Sequence, residues 1–350
     1  MCGTIPGHRN HGRDPDPILL AVAHGKPSVG VSRSHVRRFL HRARWPRRPS
    51  GLAARRTLTR HDMLVPVTEL PVPPRVLATA GRLAEIPGVV GVVLGGSRAI
   101  GTHRPDSDVD LGLYYRGPLD VAALRALADE AADQVLGMSE VGGWGPWVNG
   151  GAWLVVDGTR VDWIYRDLDR VAAIWSECRA GRYEIGIQAG HPLGYYSHVY
   201  PGEVALCQVL ADPTGELTRL RAETAHYPPA LAAALVAAVW EPDLLLYGAS
   251  SYGAASADAF FVAGCLFRAI GVLAQALHVH HRRWVTTEKR LIDAAGRLAA
   301  APPDFARRAH AILGSLGTTP DEIAATLAAA RALVDDTTAR LPAKPAALPL

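Results

Sequence analysis

Apolar residues at Val76, Leu77, Ala80, Leu83 and Ile86 recur at helical spacing behind Pro73-Pro74, and Pro87-Gly88 ends the run. Residues 89–94 (Val-Val-Gly-Val-Val-Leu) are continuously apolar, the pattern of a strand covered on both faces. Residues 108–115 then alternate, with Asp108 and Asp110 on one face and Val109, Leu111 and Leu113 on the other. Gly117-Pro118 turns the chain into a helix capped by Asp120, whose apolar face runs from Val121 through Leu124, Leu127, Ala128 and Ala131 to Val135. The Gly- and Trp-rich stretch 137–150 predicts a loop. Two β-rich runs, 153–156 and 161–165, flank Asp157-Gly158-Thr159, a hairpin signal. Asp167 opens a helix reaching about Gly181, and 190–215 reads as a connector with little periodicity.

Beyond that connector the chain becomes alanine-rich and helical. The spacing predicts helices over 216–226, 229–247, 254–281, 286–300, 303–316 and 320–341. The last starts with Thr319, Pro320 and Glu322, a capping box with proline at the first helical position. Asp258, Phe260 and Phe261 read as the cap and core of the helix they begin. The longest apolar run, 231–240, is too short to cross a membrane and stops at Glu241-Pro242-Asp243.

Charge divides the chain further. Its net +4 hides a basic segment, 1–62, of thirteen cationic side chains against three carboxylates, while the other 288 residues carry −6. The acidic remainder has no global footprint for nucleic acid, so such binding is expected, if at all, through the basic segment. That segment lacks helix-length apolar patterns and a signal-peptide core, and reads as a disordered leader, with Met63 a candidate true start. Four scattered cysteines show no zinc or redox spacing and fit a reducing cytoplasm, with Cys207 and Cys265 as core residues. The expected organisation is therefore a leader over 1–62, an α/β domain over 63–200, a helical domain over 201–341 and a tail over 342–350.

The chemistry concentrates between Gly95 and Leu111. Gly95 and Gly96 allow a tight turn and close approach to a ligand, and Ser97 follows where a short helix opens towards an anion. Asp108 and Asp110 share one strand face, where their repulsion calls for a divalent cation. A P-loop is excluded because Gly-x-x-x-x-Gly-Lys-Ser/Thr is absent, and the glycines do not give the dinucleotide fingerprint Gly-x-Gly-x-x-Gly.

Gly96-Ser97, Gly101 and Ser107-Asp108-Val109-Asp110-Leu111, followed by Asp162 within Arg160-Val161-Asp162-Trp163-Ile164-Tyr165, resemble the signature of the DNA polymerase β-type nucleotidyltransferase superfamily. The likeness is to its small-molecule (aminoglycoside-type) and minimal members. It implies an α/β (α+β) nucleotidyltransferase domain, a mixed β-sheet flanked by helices, followed by a C-terminal all-α domain. It also implies a nucleoside triphosphate as substrate, ATP by expectation, and two Mg²⁺ ions held by Asp108, Asp110 and Asp162. Gly96, Ser97 and Arg98 would hold phosphate oxygens, and Lys289 would reach the triphosphate from the helical domain.

The implied reaction is transfer of a nucleoside monophosphate, AMP by expectation, to a hydroxyl of a small molecule, with release of pyrophosphate. The same chemistry on a protein or an RNA end, or a non-catalytic nucleotide-binding regulator, stand as alternatives. No general base stands out beyond Asp162. Trp144, Trp147, Tyr195 and Tyr196 are candidates to stack on a base or sugar, with core packing as the alternative. His278, His280 and His281 have no carboxylate partner in sequence and make a poor metal site.

Overall fold

The computed structural model describes residues 72–342. The expected leader 1–62 and Met63 lie outside the described residues, as does the tail from 343. Pro73-Pro74 starts α1 (Pro74–Leu83), which precedes β1 (Val89–Leu94) and the single turn α2 (Gly96–Ala99). Next come β2 (Val109–Tyr115), α3 (Val121–Ala131), β3 (Gln134–Met138), β4 (Gly151–Val156) and β5 (Thr159–Asp167). The carboxylate of Asp120 caps α3, accepting from Ala123 N–H at 2.9 Å. At the β4–β5 junction Asp157 and Gly158 both take positive φ, +50° and +73°, as a two-residue hairpin turn requires.

After β5 the chain forms α4 (Leu168–Arg179), the hairpin β6 (Ile185–Gln188) and β7 (His191–Tyr196), α5 (Val199–Leu206) and β8 (Gln208–Ala211). A helical half follows. It comprises α6 (Glu216–Thr224), α7 (Pro229–Ala237), α8 (Glu241–Gly248), α9 (Ala259–His280), α10 (Leu291–Ala295), α11 (Phe305–Gly314) and α12 (Pro320–Thr338). The mixed sheet of six strands runs β3-β4-β5-β2-β1-β8, and β2 and β5 are parallel neighbours inside it. One face packs Val92, Leu94, Leu111, Leu113 and Trp163 against α1 and α3. Val93 and Tyr114 join a second core that extends through Leu168, Tyr200 and Val204 into the helical half.

Several expectations change here, each because a tertiary contact outweighs a local pattern. The α3 helix stops at Ala131, and Val135 lies instead in β3, paired with Leu154. The stretch 190–215 is no connector, since it holds β7, α5 and β8. Its helix α5 buries Val199, Tyr200, Pro201, Gly202 and Val204, and so shows no amphipathic stripe. The expected division at 200/201 precedes β8, which hydrogen-bonds to β1, and the described residues pack as one unit. The helix expected over 229–247 is interrupted by a 3₁₀ turn, Ala238–Trp240, just before Pro242. Proline has no N–H to give and its ring crowds the carbonyl four residues back, so the tighter turn relieves both.

Two helical stretches are long and apolar enough to cross a membrane, Pro229–Ala254 and Ala259–His280. The second, α9, has a mean hydropathy of 1.9 because it is the core helix of the helical half, burying Leu266, Ile270, Leu273 and Leu277. Asp258 caps it by accepting from Phe261 N–H at 3.0 Å. Phe260, expected in the core, is instead 91% exposed. Cys178, Cys207 and Cys265 are buried free thiols.

His198, just before α5, is fully buried against Tyr196 and Trp284, and neither ring nitrogen finds a partner. Burial disfavours its charged form and pushes its pKa down to about 4. The folded state therefore holds this ring neutral while the unfolded chain binds a proton below the ordinary value near 6.5. Its stability should be intact above about pH 6.5 and fall by about 3 kcal/mol as the pH drops to about 4. Denaturant unfolding between pH 7 and pH 4 measures this, and His198→Phe should flatten the slope over that interval.

Candidate functional site

Parallel pairing of β2 with β5 sets Asp110 directly opposite Asp162. Neighbouring strands lie about 4.8 Å apart, so the two half-buried carboxylates face outward side by side. Val109, Leu111 and Leu113 and their partners Val161, Trp163 and Tyr165 point the other way into the core, which fixes which face the acids take. Asp108 precedes β2 on the acidic face, with 38% of its side chain exposed.

The glycine turn is shaped around the same carboxylates. Gly95 N–H donates to the Asp110 carbonyl at 2.8 Å. Gly96 has φ +60°, and a Cβ built there would lie 1.8 Å from Asp110 Oδ2. Only glycine gives both the left-handed backbone and the space for that oxygen. Ser97 follows within α2, its carbonyl accepting from Thr102 N–H at 2.9 Å.

Arg98, expected on phosphate, donates to two backbone carbonyls, Ser107 at 2.7 Å and Asp108 at 3.1 Å. It thereby ties the phosphate-sized turn to the start of β2. Lys289 is not on a helix but in the loop between α9 and α10, exposed, and its charge acts on both Asp110 and Asp162.

Burial raises the Asp110 carboxyl above its usual range, and the neighbouring Asp108 charge adds to the rise while Lys289 opposes it. Burial also lifts Asp162, to about 7, helped by the charges of Asp110 and Asp108 against Arg160 and Lys289. Strained anionic clusters of this kind gather at functional sites.

Oxygen donors alone suit a hard divalent cation such as Mg²⁺, and the absence of a side chain at Gly96 leaves room for Asp110 Oδ2 beside the turn. Arg160 Nε now stands 2.7 Å from Asp108 Oδ1, close in distance but misaligned for a hydrogen bond, so that oxygen keeps unused accepting capacity. Among the described residues no three His, Cys, Asp or Glu side chains converge as a ligand set, and ion binding would require Asp108 to leave Arg160. The three acids match such an ion in donor type, but not as a converged set.

Behind them lies a pair that the sequence reading missed. Arg166, 4% exposed, makes two hydrogen bonds to Glu203, at 2.6 and 2.8 Å, and donates to Val148 O at 2.8 Å. Arg166 lies four residues after Asp162 on the same strand face, so period two could have located it. Glu203 sits on α5, where the sequence offered no pattern. A second missed pair, His191 Nδ1 and Glu288 Oε2 at 3.2 Å, joins β7 to the Lys289 loop.

The candidate stacking aromatics serve packing instead. Trp144 stacks on Trp153 with centroids 4.5 Å apart, Trp147 on Tyr195 at 5.6 Å, and both Tyr195 and Tyr196 are buried. His278 is buried with Nδ1 on Ala274 O, and His281 Nε2 accepts from Ala300 N–H.

Residues 78–140 match the family model of the nucleotidyltransferase domain, a span that includes Gly96, Ser97, Asp108 and Asp110. Among solved structures, the chain is similar to a nucleotidyltransferase-like protein from Exiguobacterium sibiricum, with 13% identity, 74% of each chain covered and a TM-score of 0.39. No curated protein matches the chain.

Gly96→Ala tests the cradle. The added methyl should push the Asp110 carboxylate aside and strain the turn, at a stability cost of about 1–3 kcal/mol. Calorimetric titration with Mg²⁺ and ATP should show binding weakened on the order of tenfold or more, with thermal unfolding reporting the smaller structural cost.

Proposed function

We propose that the chain, whose residues 78–140 match the nucleotidyltransferase domain, is a DNA polymerase β-type nucleotidyltransferase whose reaction is Mg²⁺-dependent transfer of AMP from ATP to a hydroxyl of a small molecule. The observation that carries this reading is the register of Asp110 against Asp162 beside the Gly96 turn. A non-catalytic nucleotide binder needs only the phosphate turn, whereas here a separate strand sets a further acid, Asp162, opposite Asp110.

Asp108, Asp110 and Asp162 would hold Mg²⁺, which when bound neutralises triphosphate charge and polarises the attacking oxygen. Backbone N–H groups at Gly96 and Ser97 hold the β- and γ-phosphates, leaving the α-phosphorus open to in-line attack. The acceptor oxygen forms its bond to that phosphorus, the bond from the α-phosphorus to its bridging oxygen breaks, and pyrophosphate departs. Asp162, opposite Asp110 on the neighbouring strand, is the carboxylate placed to take the hydroxyl proton. Arg98 holds the acid-bearing loop in register with the turn through the Ser107 and Asp108 carbonyls. Lys289 adds positive charge from across the acids, where the departing pyrophosphate gathers negative charge.

A small acceptor is favoured over RNA by the −6 charge of residues 63–350, which gives no broad attraction for a polyanion. The free, buried thiols suit a cytoplasmic location.

Full-length protein with ATP, Mg²⁺ and a panel of hydroxylated metabolites and antibiotics should release pyrophosphate and label one acceptor class. Asp108→Ala should lower turnover by at least about 10³-fold, and Lys289→Ala should chiefly raise the KM for ATP. Equal ATP binding by wild type and Asp108→Ala, with turnover in neither, would instead support the regulator.

A further inference from the structure

The helical half turns an uncharged aromatic face towards water. The stretch containing α8 and the helix α9 form an antiparallel hairpin, fixed by Arg268 Nε on Glu241 at 2.6 Å and by Phe261 packing against Gly248 and Tyr252. On α8 the buried positions are Pro242 and Leu246, and on α9 they include Val262, Leu266 and Ala269. The opposite side therefore presents Trp240, Leu244 and Tyr247, 47%, 44% and 70% exposed, beside Phe260 and Phe267, 91% and 38% exposed. Gly264 lies between the two phenylalanines with nothing within 4 Å of its Cβ position, a shallow notch.

We propose that this hairpin face binds the same face of a second copy of the chain, giving a twofold dimer with a four-helix interface. With Tyr252 and Phe261 at the hairpin tip, and about 200 Å² for each large side chain, the exposed apolar area is on the order of 800 Å². That exceeds the roughly 300–600 Å² of the largest patch on a typical monomer and equals the roughly 800 Å² each partner contributes to a stable interface. Aromatic residues at the centre and charge at the rim are the composition of such interfaces. An isologous contact needs a surface that meets itself without opposing like charges, and this face carries none.

The border argues for a protein rather than a lipid surface. Its carboxylates are Glu241, Asp243 and Asp258, and the adjacent Arg268 and Arg331 are held in ion pairs to Glu241 and Asp243, both at 2.6 Å. An anionic bilayer selects amphipathic helices with a basic border, the opposite of this one.

Sedimentation equilibrium of the full-length protein should give twice the chain mass, with a dissociation constant of micromolar or below. The double variant Tyr247→Glu/Phe260→Glu alters only exposed side chains, and should weaken association at least ~30-fold with an unchanged thermal unfolding curve at high dilution. Gly264→Arg, which fills the notch, should do the same independently. A wild type that stays monomeric at ~100 µM overturns the proposal, as does a dimer that neither change weakens. Flotation of the wild type with phosphatidylcholine–phosphatidylglycerol vesicles, lost in the double variant, would assign the face to lipid and overturn it equally.

Discussion

Everything at the site follows from placing like charges next to one another on two parallel strands. The register of β2 and β5 is set by the apolar face, where Val109, Leu111 and Leu113 lie against Val161, Trp163 and Tyr165. Slipping one strand by a residue would turn its acid into the core and expose an apolar neighbour. The closeness of Asp110 and Asp162 is thus imposed by core packing on the other side of the sheet; burial raises both carboxyls, the Asp108 charge adds to the rise at Asp110, and the Asp110 and Asp108 charges add to it at Asp162. The apolar face contributes the stability, and the acidic face uses part of it to hold an arrangement that water alone would disperse.

The surrounding charges follow from that constraint. Arg160 lies by Asp108, Lys289 acts from the loop after α9, and the buried Arg166–Glu203 pair sits further along the acidic face. Arg166 is buried with its guanidinium engaged by Glu203 and two backbone carbonyls, so it anchors α5 to β5 and is not available to a ligand. The cations near the acids are therefore mostly committed to other partners, and Lys289 is exposed in its loop.

Much of the fold was legible because its signals were local. The unbroken apolar run of β1, the alternation of β2, the Asp-Gly turn and the Thr319 capping box each act over a few residues. What escaped reading depends on contacts between distant segments. No pattern within 190–215 shows that β8 will pair with β1, or that α5 will be buried all round and bring Glu203 beside Arg166. The three acids and the glycine turn could be named from the chain, but their register could not. Asp110 opposite Asp162 is a property of the β2–β5 pairing, across a connection of more than forty residues. Arg98 illustrates the same limit, since its position beside the turn fits a ligand contact as well as the carbonyl contacts it makes.

The sheet draws β8 from beyond α5, against the outer edge of β1. Evolution often treats a catalytic module as a cassette, recombined with new neighbours to acquire new acceptors. This chain resists that route, because the segment leading into its helical half also completes the catalytic sheet. A recombination break placed ahead of β8 would leave β1 with open backbone donors and acceptors, inviting strand exchange between molecules. Diversification of such an enzyme is therefore channelled into loops and surface helices, and its two halves are expected to descend together as one heritable unit.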